Sequence, residues 1–304
     1  MTAPISSRPA TIIGQLELMS QLLPEQPESA ASPATRAIYA ELRRLCGVPM
    51  VPLIYRHLAT IPGGLEWAWS LLGPALRTGR LQESAWTISR SVPIEPVVKL
   101  PAEALRLLGV TSTDLTELRK LLAAYNRSNP VNLLGLRCLA VFAVRDPQAQ
   151  VGSPPRIDRV TPWQAPEPVH DLLPMVDPAN IQGDARALML LLNDRGDASR
   201  GSPIWPSLYR HFASRPPLLA LSALVVPPAF QAIDEAAGAV QREAGKRAET
   251  LIDEIDVAQG APSPSGEQRR AIIHAINLFT ERLPELIVIG ALLENSFPNS
   301  TQCT

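Results

Sequence analysis

Apolar positions in this chain recur every three or four residues over long stretches. In DLTELRKLLAAY, Leu115, Leu118, Leu121, Leu122 and Tyr125 form one stripe at the 3.6-residue period. Asp114 followed by Glu117 gives that helix a capping-box-like start. Pro101 opens a further helix, PAEALRLLG, and Gly109 closes it. After Pro228, AFQAIDEAAGAVQREAGKRAETLIDEI reads as one long helix to about Ile255, with mixed charges on its outer face. The two-residue alternation of strands is nearly absent. The pattern predicts an all-α fold.

The chain holds 31 prolines. Many stand where a helix begins, where the missing N–H costs nothing. Others separate periodic stretches. Residues 1–33 read as an N-terminal arm, mobile except for a short apolar stretch from Ile12 to Leu23. Residues 147–169 are Pro-rich and aperiodic and read as a linker. Two helical units follow from these breaks, 34–146 and 170–298, with a short tail at 299–304.

The units are related. IYRHLATIP at 54–62 returns as LYRHFASRP at 208–216, an offset of 154 residues. AAYN at 123–126 pairs with HAIN at 274–277, at an offset of 151. Two copies half a chain apart predict two tandem helical repeats packed face to face as a pseudo-dimer. The natural pocket of such a pair lies between the copies.

Composition narrows the function classes. Apolar residues make up 46% and charged residues 19%, which is globular composition. The formal net charge is −1 and no basic patch stands out, which argues against nucleic acid. No run of 18 or more uninterrupted apolar residues appears, which argues against a membrane span, and the first residues lack a signal-peptide core. A cytoplasmic location is the expectation. Cys46, Cys138 and Cys303 form no CxxC pair, so neither a disulfide framework nor a zinc site is expected. Glycine-rich phosphate loops, GxSxG and HExxH are absent, so no cofactor is expected.

Of the four histidines, His57 and His211 are repeat partners, and their recurrence argues for structural roles. His274 reads as a capped or buried neutral histidine. Trp67, Trp69 and Trp86 read as core. Asn126, Asn129 and Asn132 are poor residues for a helix interior. Asn129 before Pro130 suggests a helix break or a helix start, where the amide either caps the helix or holds a polar ligand. Ser207 is placed to cap a helix starting at Leu208, where free N–H groups suit a carboxylate.

VPMVPLIYRHLATIPGGLEWAW at 48–69, LLAAYNRSNPVNLL at 121–134 and HDLLPMVDPANIQ at 170–182 resemble, in this order and spacing, the DL-2-haloacid dehalogenases of the DehI-like family. The resemblance spans roughly residues 30–295. More distantly the unit looks like the carboxymuconolactone decarboxylase or AhpD-type helical fold, without its Cys-x-x-Cys motif. The family resemblance implies an all-helical pseudo-dimer with its active site between the repeats. It also implies hydrolysis of 2-haloalkanoic acids. An Asp activates a water, an Asn helps hold it, and the water displaces halide with inversion. The family Asn falls on Asn129, and the Ser before the catalytic Asp falls on Ser207. The Asp itself falls on Leu208, which cannot accept a proton. Two aromatic pocket residues fall on Met50 and Leu53, and a Tyr falls near Phe279. Asp194 and Asp197 are the candidates for a substitute base, although both read as exposed turn residues.

Three readings stay open. One is a diverged hydrolase of carbon–halide bonds with Asn129 catalytic and Ser207, Leu208, Met50, Leu53 and Phe279 around the substrate. Another is a different enzyme on the scaffold, such as one guiding cyclisation or rearrangement of an apolar substrate. The third is a non-catalytic binding protein. The expected partner in each is a small-molecule ligand, a carboxylate among the candidates, and a homodimer stays open.

Overall fold

The computed structural model describes residues 23–144, 163–195, 204–255 and 264–298. Among these there are helices and turns and no strand. The first helices are α1 (Pro33–Cys46), α2 (Leu53–Leu58), α3 (Gly64–Arg77), α4 (Arg80–Arg90), α5 (Ala102–Leu107) and α6 (Ser112–Val144). The later ones are α7 (Gly183–Asp194), α8 (Ser207–Phe212), α9 (Pro216–Val225), α10 (Phe230–Leu251) and α11 (Gly266–Ser296). A 3-10 turn precedes α1 at Glu28–Ala30 and another precedes α7 at Pro178–Asn180. In both halves a short helix carrying Tyr-Arg-His follows, and each half ends in its longest helix.

Local chemistry accounts for the ends. Ser32 accepts from the Thr35 amide at 3.1 Å, Pro33 occupies the first turn, and Gly47 closes α1 in the left-handed region at φ 64°. The capping box of α6 lies three residues earlier than the spacing suggested. Thr111 and Asp114 exchange reciprocal bonds, amide to Oδ2 at 2.9 Å and amide to Oγ1 at 3.1 Å. Ser265 and Gln268 form the matching box of α11.

Helix α6 does not break at Asn129–Pro130. It runs through, and α11 likewise runs through Pro284, 154 residues on. Proline lacks the N–H that would bond four residues back, yet burial of both flanks holds these helices continuous. The α6–α11 pair is the most extensive helix contact and forms the centre of the core. Gly290 permits its closest approach. A Cβ there would run into the amide oxygen of Asn126, whose Nδ2 donates to Glu294 at 2.8 Å. Gly290→Ala is therefore expected to destabilise by about 1–3 kcal/mol through overpacking. A urea midpoint equal to that of the unsubstituted chain would contradict this.

Two segments read as connectors are tied down where they are described. Of the N-terminal arm, residues 1–22 lie outside the described residues, but the rest is not mobile. The Gln26 amide donates to the Arg56 carbonyl at 2.9 Å, the Tyr39 hydroxyl to the Gln26 carbonyl at 3.2 Å, and His57 bonds the Pro24 carbonyl at 2.7 Å. Of the linker, 145–162 lie outside. The remainder is pinned by Trp163, whose Nε1 donates to the Leu45 carbonyl at 3.0 Å and whose ring covers Gly79. The continuous helical stretch Pro216–Leu251 is long and apolar enough by composition to cross a membrane, but half of its apolar window is buried within the fold.

Candidate functional site

A cavity of about 360 Å³ opens where α2, α6, α8 and α11 meet. One stripe of α6 lines it, Tyr125, Ser128, Asn129 and Asn132. Those spacings of three, four and seven put all four on one helical face. The positions 154 residues on, Phe279, Arg282, Leu283 and Leu286 of α11, line the opposite wall. The short helices behave alike, with Leu53 and Ile54 of α2 facing Ser207 and Leu208 of α8. The same helical positions thus carry amides and hydroxyls from one half, and apolar groups with one guanidinium from the other.

All six residues singled out from the sequence, Asn129, Ser207, Leu208, Met50, Leu53 and Phe279, line this one cavity. Asn129 is buried, and its amide makes no hydrogen bond to another described residue. The Asn132 amide oxygen is buried without a partner. Leu208 is buried against the core, as a hydrocarbon at that position should be. Ser207 is not the cap of its helix. It is the first helical residue, Pro206 precedes it, and no side-chain cap bond forms. Its hydroxyl lies beside Tyr125 and partly offsets the strong upward push that burial gives that phenol.

Neither candidate for a substitute base enters the cavity as described. Asp194 is buried rather than exposed, because it closes α7 against the fold and accepts from Asn193 Nδ2 at 2.8 Å. It does not line the cavity. Asp197 lies outside the described residues. Among the described residues the one carboxylate on the wall is Glu28, which is half-exposed and ion-paired with Arg43.

Three lining groups, Arg56, Arg282 and His211, were not among the site candidates read from the sequence. Arg56 pairs with Glu25 at 2.6 Å, and Arg210 reaches the same carboxylate at 3.6 Å. Two guanidiniums therefore share the Glu25 carboxylate, and Asp177 also acts on Arg210. Burial pulls Arg210 below its ordinary value. Arg282 donates through Nη2 to the Asn193 side-chain oxygen at 2.8 Å and through Nη1 to Glu285. The Nε atoms of Arg56 and Arg282 are both buried without partners. Buried, unpaired guanidinium N–H groups are costly and favour an anionic occupant.

The third is His211, buried and on the cavity wall. Its Nδ1 bonds the Leu173 carbonyl, and its ring meets that of Tyr125 edge-on at 5.9 Å between centroids. Burial, with Arg210 and Arg56 secondary, lowers its pKa. Its repeat partner His57 makes the same kind of bond, to Pro24, yet does not line the cavity. The two histidines share a structural bond, so their recurrence pointed to that role, but only one of them faces the site. His274 is exposed rather than buried, because it falls on the outer face of α11. His170 is exposed as well.

The remaining candidates are structural. Trp67 is core, Trp69 carries Arg77 at 5.1 Å, and Trp86 Nε1 donates to the Arg127 carbonyl at 3.0 Å. Burial pushes the thiols of Cys46 and Cys138 up to about 12, so neither is a ready nucleophile. Cys303 lies outside the described residues. Among the described residues no group of three His, Cys, Asp or Glu is placed to hold a metal.

The described residues are all helical and form a largely apolar cavity with Arg56, Arg282, Asn129 and Asn132 among its lining, the kind of concave, mostly apolar site with a few polar groups that small molecules occupy. The chain is 26% identical over 258 residues to the 2-haloacid dehalogenase, configuration-inverting, of Alcaligenes xylosoxydans xylosoxydans, covering 82% of this chain and 81% of that one. In three dimensions it is similar to a D-2-haloacid dehalogenase in complex with L-LA. The TM-score is 0.68 at 18% identity, over 90% of this chain and 96% of that one. A mutant of a D-2-haloacid dehalogenase with D-2-CPA gives 0.64 at 17% identity, with the same coverage. No family model matches the chain. The relative and the structures together support a DehI-like haloacid dehalogenase family for this chain.

Proposed function

We propose that this chain is a cofactor-independent hydrolase that replaces the halogen of a 2-halo acid by hydroxyl, in a cavity between two helical repeats packed as a pseudo-dimer. The observation that carries the reading is the division of the cavity wall. The guanidiniums of Arg56 and Arg282 suit the carboxylate, Met50, Leu53, Leu208 and Phe279 suit the alkyl chain and halogen, and the free Asn129 amide suits a water. Direct attack by that water inverts the reacting carbon. The chain is then a soluble enzyme, with a cytoplasmic location as its natural setting, and the stretch Pro216–Leu251 belongs to its core.

The cavity also bears on substrate size. A three-carbon halo acid has roughly the bulk of three or four waters and leaves much of the 360 Å³ unfilled. Longer 2-halo acids should be preferred, by about 0.8 kcal/mol or about fourfold in kcat/KM for each further CH2 that the apolar wall covers. The assay is halide release from D- and L-2-chloro and 2-bromo acids from three to six carbons, with chiral analysis of the hydroxy acids. No halide above the uncatalysed background from any of them would sink the reading. Release confined to the three-carbon acids would sink the size preference alone.

A further inference from the structure

We infer that His211 is the general base of this site, with Asn129, resting on the hydrolase reading above. Two helix faces bring these groups together. On α8, Ser207 and His211 are one turn apart on one face, and on α6, Tyr125 and Asn129 are likewise one turn apart. The faces meet at Tyr125, whose hydroxyl lies by the Ser207 side chain and whose ring meets that of His211 edge-on at 5.9 Å. Asn129 and His211 thus line one cavity and are linked through Tyr125.

The hydrogen bond to Leu173 sets the tautomer. A carbonyl only accepts, so Nδ1 carries the hydrogen and Nε2 is left with its lone pair. The bond to Leu173 engages Nδ1 and not Nε2, the Pro174 carbonyl also acts on the imidazole, and the ring lies on the cavity wall. A water held there gives one hydrogen to Nε2 and the other to the Asn129 amide oxygen. As its oxygen bonds to C2 of the acid, the C–halogen pair leaves with the halide. The water proton stays on the imidazole and then passes to solvent. The products are the hydroxy acid, halide and one proton, and no further reactant is needed. The carbonyl of Leu173 is fixed behind the ring and stabilises the imidazolium that forms.

The charged groups around the ring agree with this role. Arg56 from α2, Arg210 from α8 itself, Arg282 from α11, and Glu25 and Glu28 from the chain before α1 surround the site. Tyr125 from α6 is buried and uncharged. Burial and the nearby guanidiniums hold the imidazole neutral around pH 7, the form that accepts a proton. Imidazole is also the one side chain among these whose ordinary value lies between pH 5 and 8.

The test measures halide release by the full chain and by H211Q, H211N, E28Q and the double variant H211Q/L208D, with pH profiles and circular dichroism. H211Q and H211N should lose about 10²-fold or more in kcat with KM little changed. The acid limb of the wild-type profile, lying below about 6.5, should vanish with the imidazole. H211Q/L208D should regain at least tenfold over H211Q, because a carboxylate then faces the same cavity. That rescue also separates a lost base from a lost fold. Halide release surviving H211Q within threefold, or abolished instead by E28Q, overturns the assignment while the hydrolase reading stands. Absence of halide from the unsubstituted chain overturns both.

Discussion

Asn129→Ala should lower halide release by about 10²-fold, on the ground that misplacing a reacting water by about an ångström costs that much. The variant is informative because stability should move the other way or not at all. Asn129 sits inside α6, where alanine is the better helix former by up to about 0.7 kcal/mol. Its amide has no partner among the described residues, so truncation orphans nothing. It enlarges an existing cavity rather than opening a new one. A structural asparagine would behave in reverse, with the midpoint falling and kcat per folded molecule preserved. Measuring kcat alongside a urea midpoint distinguishes the two. Activity kept within threefold would remove Asn129 from the reaction.

Arg282→Met should produce the largest loss of stability, about 3–5 kcal/mol. The guanidinium and Glu285 form a pair in which both side chains are nearly buried, and the same guanidinium holds the Asn193 side chain. Removing it strands a carboxylate in a poorly solvated place and frees a buried amide oxygen. Arg282→Met with Glu285→Met should recover most of the loss, since apolar replacement of a whole buried pair is often neutral. The double variant should still bind 2-halo acids poorly, seen as a raised KM, because the carboxylate has lost a donor. If the double variant regains both stability and KM, Arg282 is a structural cation and the anion site rests on Arg56 alone.

The sequence pattern was most informative about what repeats along a helix. The stripe Leu115, Leu118, Leu121, Leu122 and Tyr125 is buried in α6, as the period required. The Pro101 and Gly109 limits enclose α5. The candidates Met50, Leu53, Asn129, Ser207, Leu208 and Phe279 came through family resemblance, and the structure places them around one cavity. Arg56 and Arg282 were invisible in the sequence because nothing along the chain separates an arginine facing a cavity from one facing water. Asp194 was misread for the same reason. A residue at a helix end looks like a turn residue until the neighbouring elements close over it.

His211 shows where the division falls. By itself the sequence determined an all-helical chain, since periodicity and capping act between residues a few positions apart. It also revealed the internal repeat that sets His57 and His211 equivalent. Only the tertiary structure decided that one of the two borders the cavity, that Leu208 lines the same space as Asn129, and that Arg56 and Arg282 come to its wall from different helices. The physical reason is that a side chain's chemistry depends on burial and on partners from other helices, and local pattern records neither.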